Sequence, residues 1–95
     1  MNPITIYPCI YVLKCEDDFY YVGITHNLNQ RLAQHYDGTA AKWTQLHKPL
    51  EVLRVIYPAT GGIQQETQIT TEMMEQHGYE KVMGGSYCQR RKPSA

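Results

Sequence analysis

The sequence predicts a small α+β domain in which helices pack around a central, largely antiparallel three-stranded sheet. Two runs rich in β-branched and aromatic residues flank an acidic break at residues 16–18. Two later segments carry helical periodicity, and a continuous apolar run lies between them. A chain of 95 residues can close one core but not two. Residues 1–95 are therefore expected to form a single domain, with its core over about 6–87 and a basic tail over 88–95.

Cys9 to Cys15 is rich in Ile, Val, Leu and Tyr, and Phe19 to Ile24 in aromatic and β-branched residues. With Glu16, Asp17 and Asp18 between them, the two runs read as a β-hairpin. A three-residue loop sets Cys15 opposite Phe19, so every cross-strand pair sums to an even number. Tyr11 and Tyr21 then share one face as near-diagonal neighbours. A two-residue turn at Asp17-Asp18 instead puts them on opposite faces, because a one-residue slip flips the side chains.

Thr25 or Asn27 caps the first helix, where Leu28, Leu32 and Tyr36 recur at helical spacing. Arg31 and His35 stand one turn apart on the edge of that stripe, as a solvated edge or as an anion site. The connector that follows has little periodicity beyond a helical turn over residues 40–43. Trp43 is either a base-stacking surface or a partly buried packing anchor, the commoner role for a lone Trp. Leu50 to Tyr57 is apolar and β-branched with Glu51 and Arg54 as its only charges, which predicts a third, central strand.

The second long helix runs from Gly61 to His77, with Gly78 as a left-handed cap. At about 100° per residue, Ile63, Glu66, Ile69, Thr70, Met73, Met74 and His77 share one side, while Glu72 and Glu75 face away. A carboxylate on a core-facing stripe is costly unless a cation, hydrogen bonds or a metal compensates it. Glu66 is thus the odd one among the helix acids; the ordinary alternative is a Glu near the helix start that curls out to solvent. Lys81-Val82-Met83 reads as a short strand and Gly84-Gly85 as a tight turn before Tyr87.

Lys and Arg number 9 against 9 Asp and Glu, and this zero net charge argues against tight, sequence-blind binding to DNA. With the acidic turn and the helix acids set aside, the remaining surface is mildly basic, and Arg90, Arg91 and Lys92 form a basic tail. Cys9, Cys15 and Cys88 are odd in number and the N-terminus lacks a secretory pattern, so an intracellular, cytoplasmic location is expected. No apolar run approaches the roughly 20 residues that span a bilayer. Neither a Cys-x-x-Cys nor a His-x-x-x-His pair is present to suggest structural zinc.

Cys9-Ile10-Tyr11 and Tyr21-Val22-Gly23 resemble the paired motifs that name the GIY-YIG nuclease family. Tyr21-Val22-Gly23-Ile24-Thr25, followed by Leu28, Arg31-Leu32 and His35, resembles the approach to that family's first helix. Lys42-Trp43-Thr44 and then Pro49 are similar to its connector, and the resemblance extends from about Ile6 to Tyr87. With hairpin, helix, strand and helix in that order, the chain resembles a free-standing, single-domain member, which is the expected organisation.

The resemblance implies a metal-dependent DNA endonuclease that hydrolyses phosphodiester bonds by single-metal, in-line attack. It implies that Glu66 holds one divalent cation, Mg²⁺ or Mn²⁺, and that Arg31 neutralises charge on the phosphoryl group. It places Tyr11 beside the attacking water with Tyr21 close by, and His35 near the phosphate as a second candidate for the general base. Thr25, His26, Lys42 and Trp43 are the implied nucleic-acid contacts. DNA is the implied partner, and no membrane is involved.

Several positions depart from the family pattern. Cys9 replaces the first glycine and Val22 the isoleucine of the name motifs. Ile24 stands where similar sequences carry lysine, Met83 where arginine is more typical, and no Asn follows Asn29. Together with the zero net charge, these changes imply weak intrinsic DNA affinity or a protein partner that supplies specificity. The alternative is a catalytically weak or inactive module that binds nucleic acid or a partner without cutting.

Overall fold

The computed structural model describes residues 7–84. Gly85, Tyr87, Cys88 and the basic tail Arg90-Arg91-Lys92 lie outside the described residues. Strands β1 (Cys9–Cys15) and β2 (Tyr20–Thr25) pair antiparallel around a three-residue 3-10 turn, Glu16–Asp18, and the Cys15 N–H donates to the Phe19 carbonyl at 2.7 Å. Asp17 and Asp18 take φ values of 60° and 62°. Aspartate enters this left-handed region more readily than most residues, which lets the loop close without glycine. The resulting register is the even-sum one, with Tyr11 opposite Gly23 and Leu13 opposite Tyr21.

Helix α1 (Leu28–Asp37) starts at Asn27, whose side chain accepts the Gln30 N–H at 3.1 Å. Thr25 supports that cap by accepting the Asn27 N–H at 3.0 Å. The helix stops at Gly38, where φ is 85° and a left-handed residue closes the last turn. Its inward stripe departs from the expected one: Leu28, Leu32 and His35 turn in, whereas Tyr36 is exposed. Both sets have helical spacing, and the contact with β1 and β2 selects between them.

After the short helix α2 (Lys42–Leu46) come strand β3 (Pro49–Ile56), helix α3 (Gly62–His77), a 3-10 turn at Tyr79–Lys81 and strand β4 (Val82–Gly84). The sheet has four strands rather than three, in the order β3-β1-β2-β4, with β4 parallel to β2 and the other pairs antiparallel. A three-residue strand is too short to show periodicity. What makes β4 a strand is the α3 crossover, which returns the chain alongside β2.

β3 is an edge strand and not the central one expected from its apolar run. The two interior positions belong to β1 and β2, of which β1 is covered on both faces and buried at every residue except Lys14. Leu50, Leu53 and Val55 of β3 are 55%, 42% and 48% exposed. Apolar continuity marks a strand compatible with two-sided burial, but it does not say which of two such strands takes the middle place. Two register shifts against β1 and the charges of Glu51 and Arg54 mark β3 as an edge.

Alternation along β1 divides the core into two layers. Ile10 and Val12, with Tyr20 and Val22 of β2, pack against Ile69, Met73 and Met74 of α3 and Val82 of β4. Tyr11, Leu13 and Cys15 face the other way, against Tyr21, Leu28, Leu32 and Val52. α3 buries Glu66, Ile69, Thr70, Met73 and Met74, the arc that its periodicity defines. Ile63 and His77, expected on the same arc, are exposed, because they lie in the terminal turns of the helix beyond its packed centre. Gly78 ends the helix with φ 101° and donates its N–H to the Met74 carbonyl.

Candidate active site

The site is built around Tyr11, which β1 projects onto the α1 side of the sheet, where the residue is only 1% exposed. Its ring lies across Gly23 of β2, and a Cβ at that position would overlap the phenol ring. The third residue of Tyr21-Val22-Gly23 is therefore a glycine for close approach of a neighbouring ring, at an ordinary backbone conformation. Tyr21 lies two residues before it on the same face, with its ring centroid 6.2 Å from that of Tyr11.

His35 of α1 completes the aromatic group, at 5.5 Å from the Tyr11 ring and 4.8 Å from the Tyr21 ring. The Tyr11 hydroxyl and His35 Nε2 are hydrogen-bonded at 2.7 Å, and His35 Nδ1 meets Thr44 Oγ1 of α2 at 2.9 Å. Thr44 in turn donates to the Ala41 carbonyl at 3.1 Å. His35, expected on a helix edge beside Arg31, is instead buried with both ring nitrogens engaged. A polar ring is tolerated at this depth because both of its nitrogens have partners.

Burial and then the Arg31 charge push His35 down to about 4, so the ring is neutral at pH 7. Burial, with a contribution from Tyr21, pushes the Tyr11 phenol well above its ordinary range; Arg31 acts in the opposite direction and Glu66 adds to the rise. The charges of Arg31 on α1 and Glu66 on α3 thus both act on the Tyr11 hydroxyl, although the two residues come from opposite layers of the fold. Glu66 is 8% exposed, so the residue is packed into the fold and is not a freely solvated helix-start glutamate.

Because an unfolded chain binds a proton at His35 near pH 6.5 and the folded chain only near 4, the unfolded state holds more protons between those values. Stability from this residue is complete above about pH 6.5 and is lost as pH falls through about 4, by roughly 3 kcal/mol. An NMR titration is expected to show the His35 ring unchanged from pH 8 to pH 5.5. A midpoint near 6.5 in the folded protein would contradict this burial.

The residues expected to touch nucleic acid separate into two groups. His26 and Lys42 are exposed, and Thr25 is half-buried with its hydroxyl bonded to the Asn27 backbone. Thr25 and His26 line a groove of about 270 Å³ together with Tyr7, Cys9, Leu28 and Tyr57. Of the two roles expected for Trp43 the structure shows the packing anchor: it is 9% exposed, its Nε1–H donates to the Tyr20 carbonyl at 3.0 Å, and it meets the Phe19 ring edge-on. Thr44 was missed as a site residue. It lies in a five-residue helix that carries no periodic signal, and only its contact with His35 identifies it.

Among the described residues no group of three or more His, Cys, Asp or Glu side chains is placed to enclose a metal ion. A single carboxylate fits a hard cation that takes its other ligands from water and phosphate oxygens, and does not fit a zinc cage. No helix among the described residues is long and apolar enough to cross a membrane.

Residues 7–79 match the family model described as the GIY-YIG catalytic domain. The UPF0213 protein YazA of Bacillus subtilis is 42% identical over 43 residues, which cover 45% of this chain and 43% of the relative. The UPF0213 protein OB0043 of Oceanobacillus iheyensis is 46% identical over 46 residues, 48% of this chain and 54% of the relative. A UPF0213 protein of Neisseria meningitidis serogroup C is 36% identical over 64 residues, 67% of this chain and 66% of the relative. The chain spans about half the length of the first two of these relatives. No solved structure matches.

Proposed function

The chain belongs to the GIY-YIG family, and from that premise we propose that it is an intracellular, metal-dependent DNA endonuclease in which Tyr11 and His35 act together as the base. The observation that carries this reading is the buried Tyr11–His35 hydrogen bond at 2.7 Å, with the charges of Arg31 and Glu66 both felt at Tyr11. Tyr11 takes a proton from the attacking water while passing its own phenolic proton to His35 Nε2. The phenol ends neutral, the imidazole ends as a cation, and the hydroxide attacks phosphorus in line with the leaving oxygen.

In the free protein this transfer is unfavourable, since burial keeps both rings neutral. A phosphodiester paired with Arg31 offsets the cation that helps depress His35 and so raises the affinity of the imidazole for the proton. The base therefore becomes competent when DNA is in place. Arg31 also stabilises negative charge developing on the phosphoryl oxygens. Glu66 would hold the divalent cation, which when bound supplies further positive charge at the phosphoryl group. Thr25, His26 and Lys42 are the proposed DNA contacts, and the zero net charge favours a protein partner that adds specificity.

The test is incubation of the purified protein with plasmid and branched DNA in Mg²⁺, Mn²⁺ or a chelator. Cleavage that the chelator removes is expected; binding without cleavage under every condition overturns the enzymatic reading in favour of a recognition module. Arg31→Ala is expected to lower the turnover rate about 10²- to 10³-fold, the scale of losing one preorganised charge stabiliser, and to weaken DNA binding far less. If saturating protein restores the rate, Arg31 is only a phosphate anchor.

A further inference from the structure

We propose that Thr44 is a positioning residue that fixes which nitrogen of His35 carries the proton, and thereby aims the Tyr11 hydroxyl at His35. The inference rests on the reading of Tyr11 and His35 as the base. It comes from counting hydrogens along a buried line of groups: Tyr11 hydroxyl, His35 Nε2, His35 Nδ1, Thr44 Oγ1 and the Ala41 carbonyl.

Two arrangements of a neutral imidazole are compatible with these distances. In the first, Thr44 donates its only hydrogen to the Ala41 carbonyl and accepts from Nδ1–H, leaving Nε2 bare to accept from Tyr11. Three hydrogens then make three bonds. In the second, Nε2–H donates to the Tyr11 oxygen and the Thr44 hydroxyl donates to Nδ1. That arrangement makes two bonds, abandons the Ala41 carbonyl as an acceptor for Thr44, and leaves the Tyr11 hydrogen unspent on a residue that is 1% exposed. Buried polar hydrogens without an acceptor are avoided, so the first arrangement is the stable one.

Direction matters for chemistry. With Nε2 bare, His35 can receive the phenolic proton in one step, and the imidazolium so formed keeps its Nδ1–H donated to Thr44 without any rearrangement. With Nε2 protonated, Tyr11 faces a donor and has nowhere to send its proton. Thr44 is 2% exposed and sits on the side of His35 away from Tyr11, so it acts only through the ring. Its role is that of the third group that orients a base in a hydrogen-bonded relay.

The experiment is ¹⁵N NMR of His35 in the full chain, which reports the tautomer directly, combined with steady-state kinetics of Thr44→Val and Thr44→Ser. Wild type is expected to show Nδ1–H. Thr44→Val keeps the shape but removes the hydroxyl; it is expected to shift the tautomer toward Nε2–H and to lower kcat about 10- to 100-fold with little change in KM. Thr44→Ser is expected to restore both. A wild-type spectrum with Nε2–H overturns the proposal even if Thr44→Val fails to fold, and so does a folded Thr44→Val with unaltered tautomer and kcat. A wild-type Nδ1–H tautomer that shifts in Thr44→Val, in a protein that cleaves no DNA, sinks the nuclease reading while leaving the role of Thr44 in setting the tautomer intact.

Discussion

Replacing Glu66 by glutamine is expected to abolish DNA cleavage while leaving the fold intact. Glu66 is 8% exposed among Ile69, Thr70 and Met73 on the inward side of α3, whereas Glu72 and Glu75 are exposed. Glutamine is close to glutamate in size and shape and removes only the charge, so Glu66→Gln is expected to remain folded. If Glu66 holds the cation, the substitution removes the charge on which that binding depends. The measurement pairs plasmid cleavage in Mg²⁺ with thermal unfolding. Full activity of Glu66→Gln in Mg²⁺ would remove this residue from the metal assignment, and a loss of activity accompanied by unfolding would point to a structural role.

Tyr11→Phe is expected to be as damaging in a different way, losing about 10²- to 10⁴-fold at every pH, the range attributed to a positioned base. The phenylalanine ring fills the same space over Gly23, so the loss isolates the hydroxyl. It also leaves His35 Nε2 without its donor, at a stability cost of about 1–3 kcal/mol. His35→Ala behaves differently, because Tyr11 then has to ionise without a partner to take its proton. Since burial holds the phenol above its ordinary range, the residual rate should be low at neutral pH and climb toward alkaline pH. Retention of most activity in Tyr11→Phe, together with a dead His35→Ala across the pH range, would transfer the role of base to the imidazole alone.

The two residues were rivals when only the sequence was considered, because Tyr11 stood in a strand motif and His35 on what read as a helix edge. The structure brings the two into direct contact through a buried 2.7 Å hydrogen bond. At about 4, His35 lies well below the near-neutral range in which an unperturbed imidazole titrates.

Much of the architecture was legible from local signals. The acidic three-residue turn set the hairpin register and with it the shared face of Tyr11 and Tyr21, because side-chain direction in a strand has a period of two. A helix start at Thr25 or Asn27, the stop at Gly78 and the inward place of Glu66 followed from residue type and helical phase. These features depend on neighbours within a few residues along the chain. By contrast, the edge position of β3, the parallel β4, the burial of His35 in place of Tyr36, the packing role of Trp43 and the contact of Thr44 with His35 were decided by the tertiary structure. Each depends on a competition between distant segments: apolar strands for the interior places of the sheet, or two helical stripes for one sheet face. Such competitions are settled by the summed packing and hydrogen bonding of the whole fold, which no local window of sequence contains.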